Sequence, residues 1–428
     1  MRIAIIGAGA TGLAAAFDLA RAGHTAVVYE ASGRLGGLAA GFREPHWQWS
    51  VERFYHHWFH SDKDILRLAE ELGVRDKVIY KTPITALYHA GRFYPFDSPL
   101  AVLTFPGIPM ADRVRFGAVG AYLKLTRDWQ RLEHYTAHDW LGRRVGPRAY
   151  QALWEPMLEG KFGRHYQDVN MAWFWARIHA RTRKLGTFEG GFQAFMDVLG
   201  AAIQHHRGTL HLDCHVQRLQ PEAGRWCVVT ARGEETFDLV LSTTSPALFS
   251  AMVPDLSPAY LDRLSTLRSL GAIALVVALD RPLGDGVYWY NLPKRAGFPC
   301  LCLVEHTSFI SPDKFGGDHI VYLGDYLPSD HTYMTMSQDQ MLREYMPALT
   351  LINKAFSPQW IRKSWLFRAG YAQPVPTRDH SRNIPDTATP LRGLYWASMS
   401  HVYPWDRGTN YAVQLGRRVA ARMLAEAR

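Results

Sequence analysis

Ile3-Ala4-Ile5-Ile6-Gly7-Ala8-Gly9-Ala10-Thr11-Gly12 opens the stretch that decides the fold, which runs on to Gly37. Four apolar residues are too few for a helix and end at a glycine, which suits a strand buried on both faces of a parallel sheet. In a Gly-x-Gly-x-x-Gly spacing the first glycine makes the tight turn, and the second lets the backbone approach a pyrophosphate. The third lets the next helix pack closely on the strand. Residues 13–21 are alanine-rich and read as that helix, whose amide end and dipole face the phosphates. Residues 25–29 form a second strand, and Glu30 stands at its end, 18 positions beyond Gly12. A carboxylate there accepts from a ribose 2′-OH and repels a 2′-phosphate. Gly7, Gly9, Gly12 and Glu30 are therefore candidate dinucleotide-binding residues. A secretory signal is the competing reading of the uncharged residues 3–17, but one preceding arginine and three phased glycines argue against it.

Arg34-Leu35-Gly36-Gly37 adds a second close backbone approach and a guanidinium able to pair a diphosphate in bidentate fashion. With these residues the chain resembles the FAD-binding superfamily of amine oxidases, protoporphyrinogen oxidases, phytoene desaturases and UDP-galactopyranose mutases. The resemblance implies FAD as cofactor, with Arg34, Gly36 and Gly37 added to its site. It implies an α/β fold, with a Rossmann-like FAD-binding domain in three parts (1–77, 201–255 and 381–428). An inserted α+β substrate domain takes the two parts between (78–200 and 256–380).

The resemblance implies further cofactor contacts. The backbone of Val216 is expected at the adenine, and Ser398 near the ribityl chain, where the usual Gly-Asp or Gly-Glu is replaced by Ala397-Ser398-Met399. Asn410, Tyr411 and Ala412 open a terminal helix whose N-terminus is expected to face the flavin pyrimidine, its dipole stabilising negative charge on the reduced ring. Residues 41–60 are dense in aromatics and histidine and are expected near the ring. The superfamily's Asp-x-Gly-x-His pattern is replaced there by Ser50-Val51-Glu52-Arg53, which leaves the local path open. His56 and His57 are the candidate catalytic bases, since imidazole exchanges protons near neutral pH. Packing among aromatics is the plainer reading of both. His56 and His60 have the i,i+4 spacing of a helical metal pair, but no third ligand is placed, so no metal is expected.

Of 428 residues, 47% are hydrophobic and 20% charged, ordinary values for a globular protein with chain enough for two or three domains. The four cysteines form no CxxC pair, and a reducing cytoplasm is the expected location. The longest later uncharged run, residues 271–279, is far short of the roughly 18 residues of a membrane-spanning helix. The formal charge is +9, and in residues 101–190 fourteen Lys and Arg face eight Asp and Glu. Such a segment attracts anions, whether lipid headgroups or a phosphorylated substrate; no nucleic-acid motif accompanies it. It contains a predicted helix over 112–128 with Val114, Ala118, Tyr122 and Leu125 on one stripe. That stripe reads as core-facing, with peripheral membrane contact as the alternative.

The functional expectation is FAD-dependent oxidation or desaturation of a largely apolar small molecule, isoprenoid or tetrapyrrole in type. A redox-neutral mutase of the UDP-galactopyranose type is the first alternative. A flavin-free lipid escort like the Rab GDP-dissociation inhibitors is the second, and the intact glycines argue against it.

Overall fold

The computed structural model describes residues 1–426. Strand Arg2–Ile6 lies in the middle of a five-stranded sheet. Thr25–Tyr29 and then Thr209–His211 stand on one side of it, Leu239–Ser242 and then Leu394–Trp396 on the other. All four pairings are parallel. Both faces are covered, which is why these strands read as unbroken apolar runs. Ile3 and Ile5 pack against helices Ala10–Arg21, Phe192–His205 and Thr409–Glu426. Ala4 and Ile6 point the other way, into a core shared with the antiparallel sheet Val216–Glu222, Arg225–Thr230 and Gly233–Phe237. The first and last helices nearly touch: a Cβ built on Gly416 would lie 2.2 Å from the Thr11 carbonyl oxygen.

The second unit is built on a seven-stranded sheet ordered Ile361–Pro374, Ser269–Leu279, His319–Leu327, Cys302–Glu305, Val287–Asn291, Ile84–His89 and Arg92–Pro95. One pairing, Val287–Asn291 with Ile84–His89, is parallel and the others are antiparallel. Helices Ala137–Arg144, Glu155–Phe162 and Met171–Ala180 form an aromatic layer with Trp140, Trp173 and Trp175 buried in it. The fold class is the expected one, a Rossmann-like α/β unit joined to an α+β unit, but residues 192–200 and helix Pro258–Ser265 pack in the cores of the first unit, rather than with the substrate domain expected at 78–200 and 256–380.

Two elements depart from expectation. Ile361–Pro374 is a 14-residue edge strand that patterning does not announce, because Arg362, Lys363 and Arg368 break up its apolar residues. Helix Met110–Leu125 buries only Asp112 and Leu123. Its apolar stripe faces outward: Met110 is 70% exposed, Val114 64% and Leu125 79%, with Leu100 at 69% on the preceding helix Pro99–Leu103. The core-facing reading of that stripe is therefore corrected. No helix among the described residues is long and apolar enough to cross a membrane.

Candidate functional site

The glycine turn is built by exclusion. Gly7 holds φ at +103°, and a Cβ on Gly12 would lie 2.0 Å from the Gly7 carbonyl oxygen, so neither position accepts a side chain. A Cβ on Gly9 would meet nothing within 4 Å, and Gly9 begins helix Ala10–Arg21 without a side-chain cap. Open space thus lies at a helix N-terminus, where a pyrophosphate is stabilised by amides and dipole. The second turn leans on the first: Gly36 N–H donates to the Ala8 carbonyl at 2.8 Å, with Gly36 and Gly37 at φ +113° and +56°.

Glu30 locks the turn. Its Oε2 accepts from the Ala8 N–H at 2.8 Å, and its Oε1 accepts from the Ser32 N–H at 2.9 Å and from the Ser32 hydroxyl at 2.8 Å. A carboxylate has about four lone-pair positions, so one remains for a ribose hydroxyl. Arg34 Nη1 donates to the Gly41 carbonyl at 2.6 Å, leaving its other donors free of that bond. Arg53, whose ionisation is lowered by burial and then by the neighbouring Arg34, has a buried Nε with no partner. Two neighbouring guanidiniums and an orphaned donor fit a diphosphate-bearing cofactor. Val216 is buried in the cluster that holds Val27 and Tyr29 of the strand that Glu30 follows.

At the expected ring end the side chains are more fully engaged than the resemblance implies. Ser398 Oγ accepts from the Tyr371 hydroxyl and from the Ser400 N–H, each at 3.3 Å, so only its own proton is left for a ribityl chain. Asn410 Oδ1 accepts from the Asp64 and Ile65 N–H groups at 2.9 and 3.1 Å. It thereby caps helix Lys63–Glu71 from outside, while Asp62, the residue at the N-cap position, turns its carboxylate to accept from the Phe59 N–H. Tyr411 stacks on Trp405, centroids 5.3 Å apart, and Ala412 lies within the first turn of helix Thr409–Glu426.

His56 and His57 are half-buried among aromatic side chains. The His56 Nδ1–H donates to the Phe54 carbonyl at 2.6 Å, and burial pushes its ionisation down to about 4. His57 packs edge-on against Phe59 and Trp289; burial, reinforced by Arg181, pushes it down to about 3. Rings that hold a proton so poorly are weak bases for the catalytic role expected of them. No group of three or more His, Cys, Asp or Glu among the described residues is placed to hold a metal.

Sequence reasoning missed a cluster of basic side chains around Asp406. Its carboxylate lies 2.5 Å from Arg177 Nη1, 3.2 Å from Lys161 Nζ and 3.3 Å from Arg181 Nη2, and Trp173 Nε1 donates to it at 3.1 Å. Arg407 is the next residue. The regional charge excess was legible, but its convergence on one carboxylate depends on tertiary structure.

Residues 10–424 match the family described as flavin containing amine oxidoreductase. A segment of 162 residues is 40% identical to the 15-cis-phytoene desaturase of Synechococcus elongatus, and it covers 34% of this chain and 34% of that protein. The chain thus matches about a third of that relative's length. Among solved structures, a candidate protoporphyrinogen oxidase from Exiguobacterium sp. 255-15 superposes with a TM-score of 0.79 at 18% identity, covering 99% of both chains. A reduced UDP-galactopyranose mutase superposes at 0.76 and 14% identity, covering 99% of this chain and 96% of that one. At these identities the structures speak for the fold alone.

Proposed function

The chain belongs to the flavin-containing amine oxidoreductases, and from that premise we propose that it oxidises or desaturates a largely apolar small molecule, isoprenoid or tetrapyrrole in type, taken up at a membrane surface. Bound FAD supplies the electron and hydride acceptor. The residues around Gly7, Glu30 and Arg34 hold and orient the cofactor, and the aromatic layer of the second unit excludes water. Matching of one segment to a phytoene desaturase supports the substrate class.

The carrying observation is the outward stripe of Leu100, Met110, Val114 and Leu125. Four large apolar side chains on two adjacent helices, with the exposed Arg115 close by, suit an interface of lipid tails and anionic headgroups. The test starts from oxidised holoenzyme under anaerobic conditions. Bleaching of the flavin by a polyene or a porphyrinogen is the expected result. Absence of bleaching, with turnover of a nucleotide sugar by dithionite-reduced enzyme and no net redox change, would establish the mutase instead. That second reading draws on one observation, the basic side chains gathered at Asp406.

A further inference from the structure

Asp406 is outnumbered. One carboxylate serves Lys161, Arg177 and Arg181, and the adjoining Arg407 has no carboxylate within 4 Å among the described residues. Arg407 Nε donates to Gln373 Oε1 at 2.9 Å, and its guanidinium lies 4.8 Å from the centroid of the Tyr326 ring. Asp62, the other carboxylate that Arg181 feels, is spent on the Phe59 N–H. Even with Asp62 ionised, four cations meet two anions. The surrounding protein disfavours this charge: burial pulls Lys161 well below the usual ammonium range and Arg407 to about 10. Uncompensated charge inside a protein is costly to maintain unless a partner arrives.

The cluster is reachable. Arg181 keeps 39% of its side-chain surface, against 12% for Lys161 and 18% for Arg177, so it is the member that faces open space. It stands over the Phe59 ring at 5.3 Å, and the stacked pair Trp405 and Tyr411 joins the cluster to the first turn of helix Thr409–Glu426. His57 feels Arg177, Arg181 and Arg407 together. The site therefore adjoins the segment expected at the flavin ring. It shares no residue with the Gly7, Glu30 and Arg34 cradle, where Arg34 and Arg53 fit the cofactor diphosphate. Planar guanidinium forks match carboxylate and phosphate oxygens bidentately.

We infer that Arg181 and Arg407, positioned by Asp406 and Gln373, form a subsite for an oxyanion on the substrate, a carboxylate or a phosphate, so that the substrate is amphiphilic rather than a plain hydrocarbon. This inference rests on the flavin-enzyme reading above and refines its substrate. FAD-loaded enzyme at constant ionic strength is titrated with inorganic pyrophosphate and, separately, with octanoate, and followed by calorimetry and by the flavin difference spectrum. Saturable binding of at least one probe is expected, weakened tenfold or more in Arg407→Gln and in Arg181→Gln at unchanged FAD content, with Arg407→Lys intermediate. Pyrophosphate alone points to a phosphate head, octanoate alone to a carboxylate. Binding of neither probe, equal binding by wild type and both Gln variants, or loss of FAD together with probe binding overturns the inference. An enzyme that binds a probe but is bleached by no polyene or porphyrinogen keeps the subsite and loses the proposed substrate class.

Discussion

Asn410 caps a helix to which it does not belong. Its Oδ1 accepts the Asp64 N–H at 2.9 Å across 346 residues of sequence, tying the first turn of the terminal helix to helix Lys63–Glu71. Thr409 does the same for Trp58, whose indole N–H donates to the threonine hydroxyl oxygen at 2.7 Å. The helix end expected at the flavin pyrimidine is therefore fixed by side-chain bonds to the segment that carries His56 and His57. Asn410→Ala should cost about 1 kcal/mol, the usual worth of a lost cap. A thermal melt of apoprotein checks this, since a cofactor effect cannot contribute there. An unchanged melting temperature would mean that the cap is redundant.

Glu30 has two tasks in the structure, and a pair of substitutions separates them. Glu30→Ala removes both the ribose acceptor and the partner of the Ala8 N–H, so apoprotein stability and FAD affinity should fall together. The affinity loss should be about 1.5 to 3 kcal/mol, as for a charge-assisted hydrogen bond. Glu30→Gln keeps one acceptor oxygen, which can serve the Ala8 N–H, but turns an amide donor toward the Ser32 N–H, so it should lose FAD affinity while apoprotein stability falls by less than in Glu30→Ala. Equal FAD affinity in all three proteins, measured by equilibrium dialysis, would leave Glu30 a purely structural residue.

The outward stripe makes a prediction independent of chemistry. Val114 and Leu125 touch solvent over most of their surface, so Val114→Asp with Leu125→Asp should change stability by about 0.5 kcal/mol or less per site. The same pair should abolish sedimentation with vesicles containing anionic lipid, and binding of the wild type should weaken as salt is raised. Failure of the wild type to sediment with any vesicle would remove the membrane part of the proposed function.

What the sequence made legible was local. The glycine turn, its strand and Glu30 lie within thirty residues, and each constrains the backbone by itself. The same physics acts elsewhere without a readable signature. Gly416 is as intolerant of a Cβ as Gly12, yet its contact with Thr11 joins opposite ends of the chain. Lys161 and Asp406 meet across 245 residues, and nothing near either announces the other. The stripe on Met110–Leu125 is visible in the sequence, but amphipathic spacing fixes a face and not what covers it. His56 and His57 stand out by residue type, and only their burial shows how weak their basicity is.

Glu52 carries the clearest pH dependence. It is 1% exposed, its Oε1 accepts from the Phe192 N–H at 2.8 Å, and burial without a cation pushes its ionisation from 4.5 up to about 7. An acid raised in the folded state holds its proton where the unfolded chain has lost it. Its contribution is therefore complete below about 4.5 and drains away as pH rises to about 7, beyond which the penalty is constant. Each tenfold change in acid strength between the folded and unfolded chain is worth about 1.4 kcal/mol, so the penalty at pH 8 is on the order of 3 kcal/mol. Glu52→Gln keeps an acceptor for Phe192 and removes the ionisation. The variant should match the wild type near pH 4.5 and exceed it in stability at pH 8, with the gap opening between those values. Glu305 and Asp325, also raised to about 7 by burial, depress both proteins alike and cancel in the difference. A gap of the same size at pH 4.5 and pH 8 would show that packing, rather than titration of Glu52, separates the two proteins.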